Sequence, residues 1–335
     1  MNLGVISDFI FKEAITSLEV ATIDDSDRCN LVLSTIEGDV RILKLESGKK
    51  MKLTQVAKAS GLPPVLTLAI GSVMGGDMPD LVVGGLDNTI RVISLSDGSL
   101  TVKDTTQLGT LPTAVCVTNV VGDEASEIVV ATNDRALRCY GWFDVCLDKL
   151  AHKVVDRPVF SMQPLRSKDL PYSRLVFGDD SGHLYVYQYA DDRLHEISRM
   201  GLGGDVHLVA TGNITGGRSD NIITVSDGVN LSLLAIGQNG LEVRAGMKAP
   251  SPITSVRIGR LHKDSEQAHI MVGLGDSTVI LLSYDGHQLV QDASIKTNKK
   301  RSAESLAAFG DLNGDGEAEI VQAVGNTISL ITATK

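Results

Sequence analysis

Aromatic residues and cysteines are scarce in this sequence. Aromatic residues make up 4%, and four cysteines in 335 residues exclude the small scaffolds that disulfide bonds hold together. The cysteines, at positions 29, 116, 139 and 146, have spacings that match no zinc-binding or redox motif. We therefore predict reduced thiols in an intracellular protein.

Long hydrophobic runs and an N-terminal targeting segment are also missing. No segment approaches the roughly 20 unbroken apolar residues that a membrane-spanning helix needs. The N-terminal residues have no basic region, and Asp8 interrupts their apolar stretch, so they make a poor signal peptide. These absences predict a cytoplasmic protein without direct membrane insertion.

Basic residues are outnumbered by acidic residues. There are 31 Lys and Arg residues against 41 Asp and Glu residues, which gives a formal net charge of −10. An acidic surface repels phosphate backbones, so nucleic-acid binding is disfavoured. Glycine, in contrast, is abundant at 33 residues, and this composition favours many tight turns over long helices.

A short apolar segment rich in β-branched residues recurs seven times. Successive copies begin 50, 47, 47, 47, 48 and 50 residues apart, and seven units of this size account for the chain. The copies lie at 31–34, 81–84, 128–131, 175–178, 222–225, 270–273 and 320–323. The second unit indicates four strands, at 65–70, 81–84, 89–95 and 100–102, with an Asp97-Gly98 hairpin turn before the last.

Four-stranded units with this period are typical of a β-propeller. The last unit has only three strands, whereas a spare strand, at 3–11, precedes the first unit. We predict an all-β, seven-bladed β-propeller in which the N-terminal strand completes the last blade, since closure removes exposed sheet edges. One domain would then span 1–335, with a closing strand at 1–11 and blades at about 14–62, 63–110, 111–156, 157–203, 204–249, 250–300 and 301–335.

The loop between the first two strands of the last unit has the pattern of a calcium-binding loop. Oxygen-bearing side chains alternate along it, and Gly316 permits a sharp turn around a hard cation. This loop resembles the D-x-[DN]-x-D-G-x-x-D loop of FG-GAP repeats in integrin α-subunit propellers. The resemblance implies one Ca²⁺ site, with side-chain ligands Asp311, Asn313 and Asp315, the backbone carbonyl of Glu317, and Glu319 in place of the usual Asp. Alternatively, Asp311 and Asn313 only brace a tight turn through side-chain hydrogen bonds.

The equivalent loops of the other units lack the full set of ligands. Aligned on the recurring segment, four of them end in Asn30, Asp80, Glu127 and Asn221, and we interpret these loops as copies that have lost the site. The layout, a lone strand followed by degenerate FG-GAP blades, is also similar to the propellers of the Bardet–Biedl complex and to a scaffold of a lysosomal nutrient-signalling complex. This similarity implies a scaffold role within a multi-subunit complex.

Catalytic motifs are missing. The sequence has no phosphate-binding loop, no G-x-S-x-G motif and no cluster of histidines with metal-ligand spacing. Propeller enzymes use converging charged groups in the axial channel, and no repeated inward position carrying such groups is apparent from the sequence. We predict a non-enzymatic scaffold that binds proteins. The alternatives are a lyase or hydrolase that acts on a carbohydrate or small substrate in the channel, and an extracellular calcium-dependent adhesion domain.

Two surface regions are candidates for binding partners. The first is a basic segment in an acidic protein, with Lys296, Lys299, Lys300 and Arg301, for which the alternative is a solvated loop. The second is aromatic, with Trp142 and Phe143 beside the alternating tyrosines at 185, 187 and 189. Packing between blades would explain these aromatic residues, and exposed ones would anchor a protein partner.

Overall fold

A computed structural model of the protein describes residues 1–24, 26, 28–46, 48, 50–262, 265, 268–297 and 305–334. These residues form 28 β-strands and no helix. The strands make seven four-stranded sheets, and the arrangement confirms the predicted all-β, seven-bladed β-propeller. In the part of the chain that is described, no helix has the length and apolar character needed to span a membrane.

Within each blade, the strands follow one another from the central channel to the rim. The first three blades contain β2 Ile15–Ala21, β3 Asn30–Thr35, β4 Val40–Glu46, β5 Lys52–Ala59, β6 Val65–Gly71, β7 Asp80–Gly85, β8 Thr89–Ser96, β9 Ser99–Gln107, β10 Pro112–Thr118, β11 Glu127–Thr132, β12 Ala136–Phe143 and β13 Cys146–Val154. The fourth and fifth contain β14 Met162–Leu165, β15 Arg174–Gly178, β16 His183–Ala190, β17 Arg193–Gly201, β18 Val206–Gly212, β19 Asn221–Ser226, β20 Asn230–Gly237 and β21 Gly240–Lys248. The last two contain β22 Ile253–Gly259, β23 His269–Leu274, β24 Thr278–Tyr284, β25 Leu289–Lys296, β26 Leu306–Gly310, β27 Glu319–Val324 and β28 Thr327–Thr334, with β1 Asn2–Ile10 as the fourth strand of the seventh blade.

The recurring apolar segments form the second strands, which are the most deeply buried. Every residue of β3 and of β7 is buried. These strands are apolar on both sides because each blade packs between two neighbouring blades. The fourth strands lie at the rim, and most residues of β9 are exposed.

The core is divided into seven clusters of buried apolar side chains, each between two neighbouring blades. The cluster between the seventh and first blades contains Leu33 and Leu330. Because every described sheet has apolar packing on both faces, no blade is an end of the array. The four cysteines are free, as the sequence predicts.

The ring closes in the seventh blade. Strand β1 pairs antiparallel with β28 from Asn2 opposite Thr334 to Ile10 opposite Thr327. Two side-chain hydrogen bonds support this pairing: Ser329 Oγ donates to Asp8 Oδ1 at 2.6 Å, and Asn326 Nδ2 donates to the Phe11 carbonyl at 2.8 Å. The N-terminal strand therefore completes the last blade, as predicted.

Candidate functional site

The predicted calcium loop connects β26 to β27 and is held by its own side chains. Asp311 Oδ1 accepts the backbone N–H of Gly314 at 2.6 Å, and Asp311 Oδ2 accepts that of Gly316 at 2.9 Å. Both glycines have positive φ, at 82° and 87°, which a residue with a side chain rarely adopts. The acidic side chain and the two glycines thus fix the turn together.

The remaining predicted ligands form a second set of bonds in the same loop. Asn313 Oδ1 accepts the N–H of Asp315 at 2.8 Å, and Asp315 Oδ1 accepts the N–H of Glu317 at 2.8 Å. The amide nitrogen of Asn313 donates to Asp315 Oδ2 at 2.9 Å and to Glu319 Oε1 at 2.8 Å. A hydrogen-bond donor therefore lies between two of the carboxylates.

Glu319 is the buried member of the loop. Its side chain accepts the N–H of Leu312 at 2.9 Å. Burial raises the pKa of Glu319 to about 7, and the nearby negative charges of Asp315 and Asp311 also raise it, against the lowering effect of the bond from Leu312. Repulsion among carboxylates favours either a proton or a cation in their midst.

The position of Glu319 has the same structural role in other blades. At the start of a second strand, a buried polar side chain accepts the backbone N–H seven residues earlier, which belongs to a buried apolar residue. The pairs are Ile23 with Asn30, Val73 with Asp80, Val120 with Glu127, Ile214 with Asn221 and Leu312 with Glu319, at 2.7–3.1 Å. The residues that end these inner loops (the loops between first and second strands) are thus structural braces, a role that the sequence interpretation of lost ligand sets did not include.

The donor set of the last inner loop suits a hard cation chemically, with three carboxylates and one amide oxygen. As folded, however, Asn313 presents its nitrogen to the carboxylates, and among the described residues no three His, Cys, Asp or Glu side chains form a group that could hold a metal ion. The hydrogen bonds account for the loop conformation. Calcium binding at Asp311, Asn313, Asp315, Glu317 and Glu319 stays a prediction.

The predicted aromatic region divides into buried and exposed parts. Tyr185 and Tyr187 are buried between the third and fourth blades, where they pack against Phe177 with ring centroids 5.2 and 5.0 Å away. Trp142 is half-buried and packs on the cluster between the second and third blades. Phe143, in contrast, is 49% exposed at the rim.

Only the start of the predicted basic region is described. Lys296, the last residue of β25, lies with its Nζ 3.5 Å from Asp276 Oδ2 of the same blade. The other three basic residues, Lys299, Lys300 and Arg301, lie outside the described residues. A partner role for this region stays a prediction.

The first strands of the blades surround an axial channel with a volume of about 390 Å³. Each first strand places one residue opposite the second residue of the recurring apolar segment. These seven equivalent residues, which we name the channel layer, are Glu19, Ala69, Cys116, Gln163, Ala210, Arg257 and Ala308. Charged groups therefore do share one repeated position, which sequence reasoning missed although aligned first strands would have revealed it.

An ion pair lies within the channel layer. Arg257 Nη2 of the sixth blade is 3.2 Å from Glu19 Oε1 of the first blade, and each side chain is 34% exposed. The seventh blade lies between them, and its channel-layer residue, Ala308, is buried and does not line the channel. Burial raises the pKa of Glu19, and Arg257 offsets only part of that effect. Glu19 is the single carboxylate residue among the described residues that line the channel.

Comparison with solved structures places the fold among β-propellers. The chain is similar to the structure of BBS1N in complex with ARL6DN, with a TM-score of 0.71, 11% identity, and coverage of 99% of this chain and 97% of that one. It is also similar to the WD40 β-propeller domain of Doa1 (TM-score 0.67, 15% identity, coverage 99% and 98%) and to a chain of the mitotic checkpoint complex (TM-score 0.70, 12% identity, coverage 99% and 92%). No family model and no curated protein matches the sequence. These similarities show the fold, and the FG-GAP subtype stays a prediction.

Proposed function

We propose that this protein is a non-enzymatic scaffold that binds protein partners within a larger assembly. Two of the similar propellers were solved together with protein partners, BBS1N with ARL6DN and the other in the mitotic checkpoint complex. Because those likenesses concern the fold, support for a binding surface in this chain has to come from its own residues.

The observation that carries the proposal is an exposed apolar turn on the third blade. The turn between β12 and β13 contains Asp144 and Val145, and Val145 is 76% exposed. The same two-residue turn is Asp97-Gly98 in the second blade, Asp191-Asp192 in the fourth and Gln238-Asn239 in the fifth. Together with the exposed Phe143, Val145 forms an apolar surface at an otherwise polar turn position, which a protein partner can cover.

Phe143 extends this apolar turn and is held in place. A side chain at Gly141 would come within 3.1 Å of the Phe143 ring and of Leu150, so the glycine makes room for the ring. An aromatic side chain that is exposed yet positioned loses little conformational entropy on binding. Phe143 and Val145 would then fill an apolar groove of the partner, while the half-buried Trp142 supports the hairpin.

The test is quantitative recovery of partners with the tagged protein, followed by reconstitution from purified components. Changing Phe143→Ser and Val145→Ser together should reduce partner affinity at least about tenfold, because exposed anchors of this kind contribute about 2 kcal/mol or more. Val154→Ser is the matched control, since Val154 is 59% exposed at the other end of β13. Equal binding by the double variant and the wild type would reject this surface, and the absence of any stoichiometric partner would reject the scaffold function.

A further inference from the structure

The axial channel has more positive than negative charge along its described lining. Arg166 and Arg257 are its two arginines, and Glu19 is its carboxylate. This excess is notable in a protein whose formal net charge is −10. A narrow cleft with low-dielectric walls concentrates the field of such charges and attracts ions of the opposite sign.

The two arginines occupy the same end of the channel, where the first strands lead into the inner loops. Arg257 belongs to the channel layer, and Arg166 follows directly after β14. Arg166 is exposed and makes no ion pair within 4.0 Å with a described residue. Asp220 accepts the backbone N–H of Arg166 at 3.2 Å, and its carboxylate interacts electrostatically with Arg166. Because that hydrogen bond uses the backbone, the guanidinium N–H groups are able to donate to a ligand.

The ion pair in the channel layer is poorly explained by stability alone. Each side chain of the pair is 34% exposed, and an ion pair open to solvent to this extent contributes little to stability. Charged groups that line a cavity and contribute little to stability are typical of binding sites. Gln163, in the same layer, and the hydroxyl group of Ser17 provide neutral hydrogen-bonding partners along the wall.

We propose that the channel binds a small polar molecule through an oxyanion, a carboxylate or a phosphate, held between Arg257 and Arg166. In the free protein Glu19 occupies one face of Arg257, and it therefore competes with the ligand for that guanidinium. The channel volume of about 390 Å³ falls in the range of small-molecule sites, roughly 300–1,000 Å³. This site is independent of the protein-binding hairpin on the third blade.

Titration calorimetry at low ionic strength tests the proposal, with inorganic phosphate and citrate as separate probes. At least one probe should bind with one site per chain. Arg166→Gln should weaken that binding about fivefold or more, because it removes one positive charge. Glu19→Gln should strengthen it by a similar factor, because the substitution removes a negative charge and releases Arg257. Binding of phosphate alone would identify a phosphate-bearing ligand, and binding of citrate alone a carboxylate.

Arg218→Gln is the matched control. Arg218 is an exposed arginine outside the channel lining, paired with Asp169, and its loss should leave the affinity unchanged. The proposal is overturned if neither probe binds at millimolar concentration, if Arg218→Gln weakens binding as much as Arg166→Gln, or if folded Glu19→Gln does not bind more tightly. Melting curves establish that each variant is folded. If Glu19→Gln does not fold, the comparison of Arg166→Gln with Arg218→Gln still decides the proposal, because both arginines are exposed and their loss should not unfold the protein.

Discussion

Asp39, at the turn between β3 and β4, forms the best-connected ion-pair site described on the ring. Its carboxylate lies 2.7 Å from Arg41 Nη2 and 2.8 Å from Lys58 Nζ, and its side chain is 11% exposed. Burial by itself would raise the pKa of Asp39, but hydrogen bonds from Arg41 and Lys58 lower it to about 2. The ionised form is therefore favoured by folding.

We predict that Asp39→Asn lowers the free energy of unfolding by about 2 kcal/mol at pH 7. A depressed carboxyl pKa stabilises the fold above the pKa of the unfolded chain, near 4, and this contribution is lost as the pH falls to about 2. The difference in the free energy of unfolding between variant and wild type should therefore shrink as the pH falls from about 4 to about 2. Chemical denaturation at a series of pH values measures it.

The control for this prediction is Asp97→Asn in an exposed hairpin turn, which should change stability by less than about 0.5 kcal/mol. If the difference in the free energy of unfolding between Asp39→Asn and wild type stays constant from pH 7 to about 2, the ionised Asp39 is not the source of that stability.

Calcium binding to the last inner loop is a second prediction about single residues. Adding calcium should raise the melting temperature, because a cation relieves the repulsion among Asp311, Asp315 and Glu319. Asp315→Ala should abolish the rise, whereas Asp77→Ala, in the equivalent loop of the second blade, should preserve it. Identical melting curves in millimolar calcium and in chelator would reject the site and leave the hydrogen-bonded turn as the whole role of the motif.

At the scale of elements, five of the seven inner loops are each braced by one buried polar residue. Asn221 Oδ1 accepts the N–H of Ile214 and of Thr215, both at 3.0 Å. Asn221→Ala should destabilise the protein by about 1–3 kcal/mol, because two backbone donors, the one of Ile214 buried, lose their acceptor. Denaturant titration measures the loss, and Asn230→Ala, at a half-buried position starting β20, is the control. Equal stability of the two variants would show that the brace contributes nothing.

The extent to which sequence predicted the elements depended on their burial. The second strands were recognisable in the sequence because burial on both faces requires a continuous apolar run, as in β7. The fourth strand of the second blade, predicted at 100–102, extends over β9 Ser99–Gln107. Its outer residues are polar and exposed, so they carry little hydrophobic signal, and pairing with β8 determines where the strand ends.

At the scale of the whole molecule, closure of the ring depends on the first eleven residues. Strand β1 supplies the fourth strand of the seventh blade, and Phe9 and Phe11 pack on the cluster between the seventh and first blades. Deleting residues 1–11 should lower the melting temperature by about 10 °C or more, because the last blade loses its outer strand and the ring loses its closure.

A synthetic peptide of residues 1–11 added in trans should restore part of this loss, which calorimetry would detect. Ile10→Ser is the control, because Ile10 is 79% exposed although it lies in the same strand. A truncated protein that melts like the full chain would refute closure by β1 as a source of stability.

The sequence by itself determined the number of blades, the four-stranded unit and the closing strand, because these follow from periodicity and from a count of strands. It also identified the loop at 311–319 from its local pattern. The tertiary structure alone decided that Phe143 is exposed while Tyr185 and Tyr187 are buried, and that Glu19 of the first blade meets Arg257 of the sixth. Those outcomes depend on how neighbouring blades face one another, and residues 238 positions apart become partners only when the ring is closed.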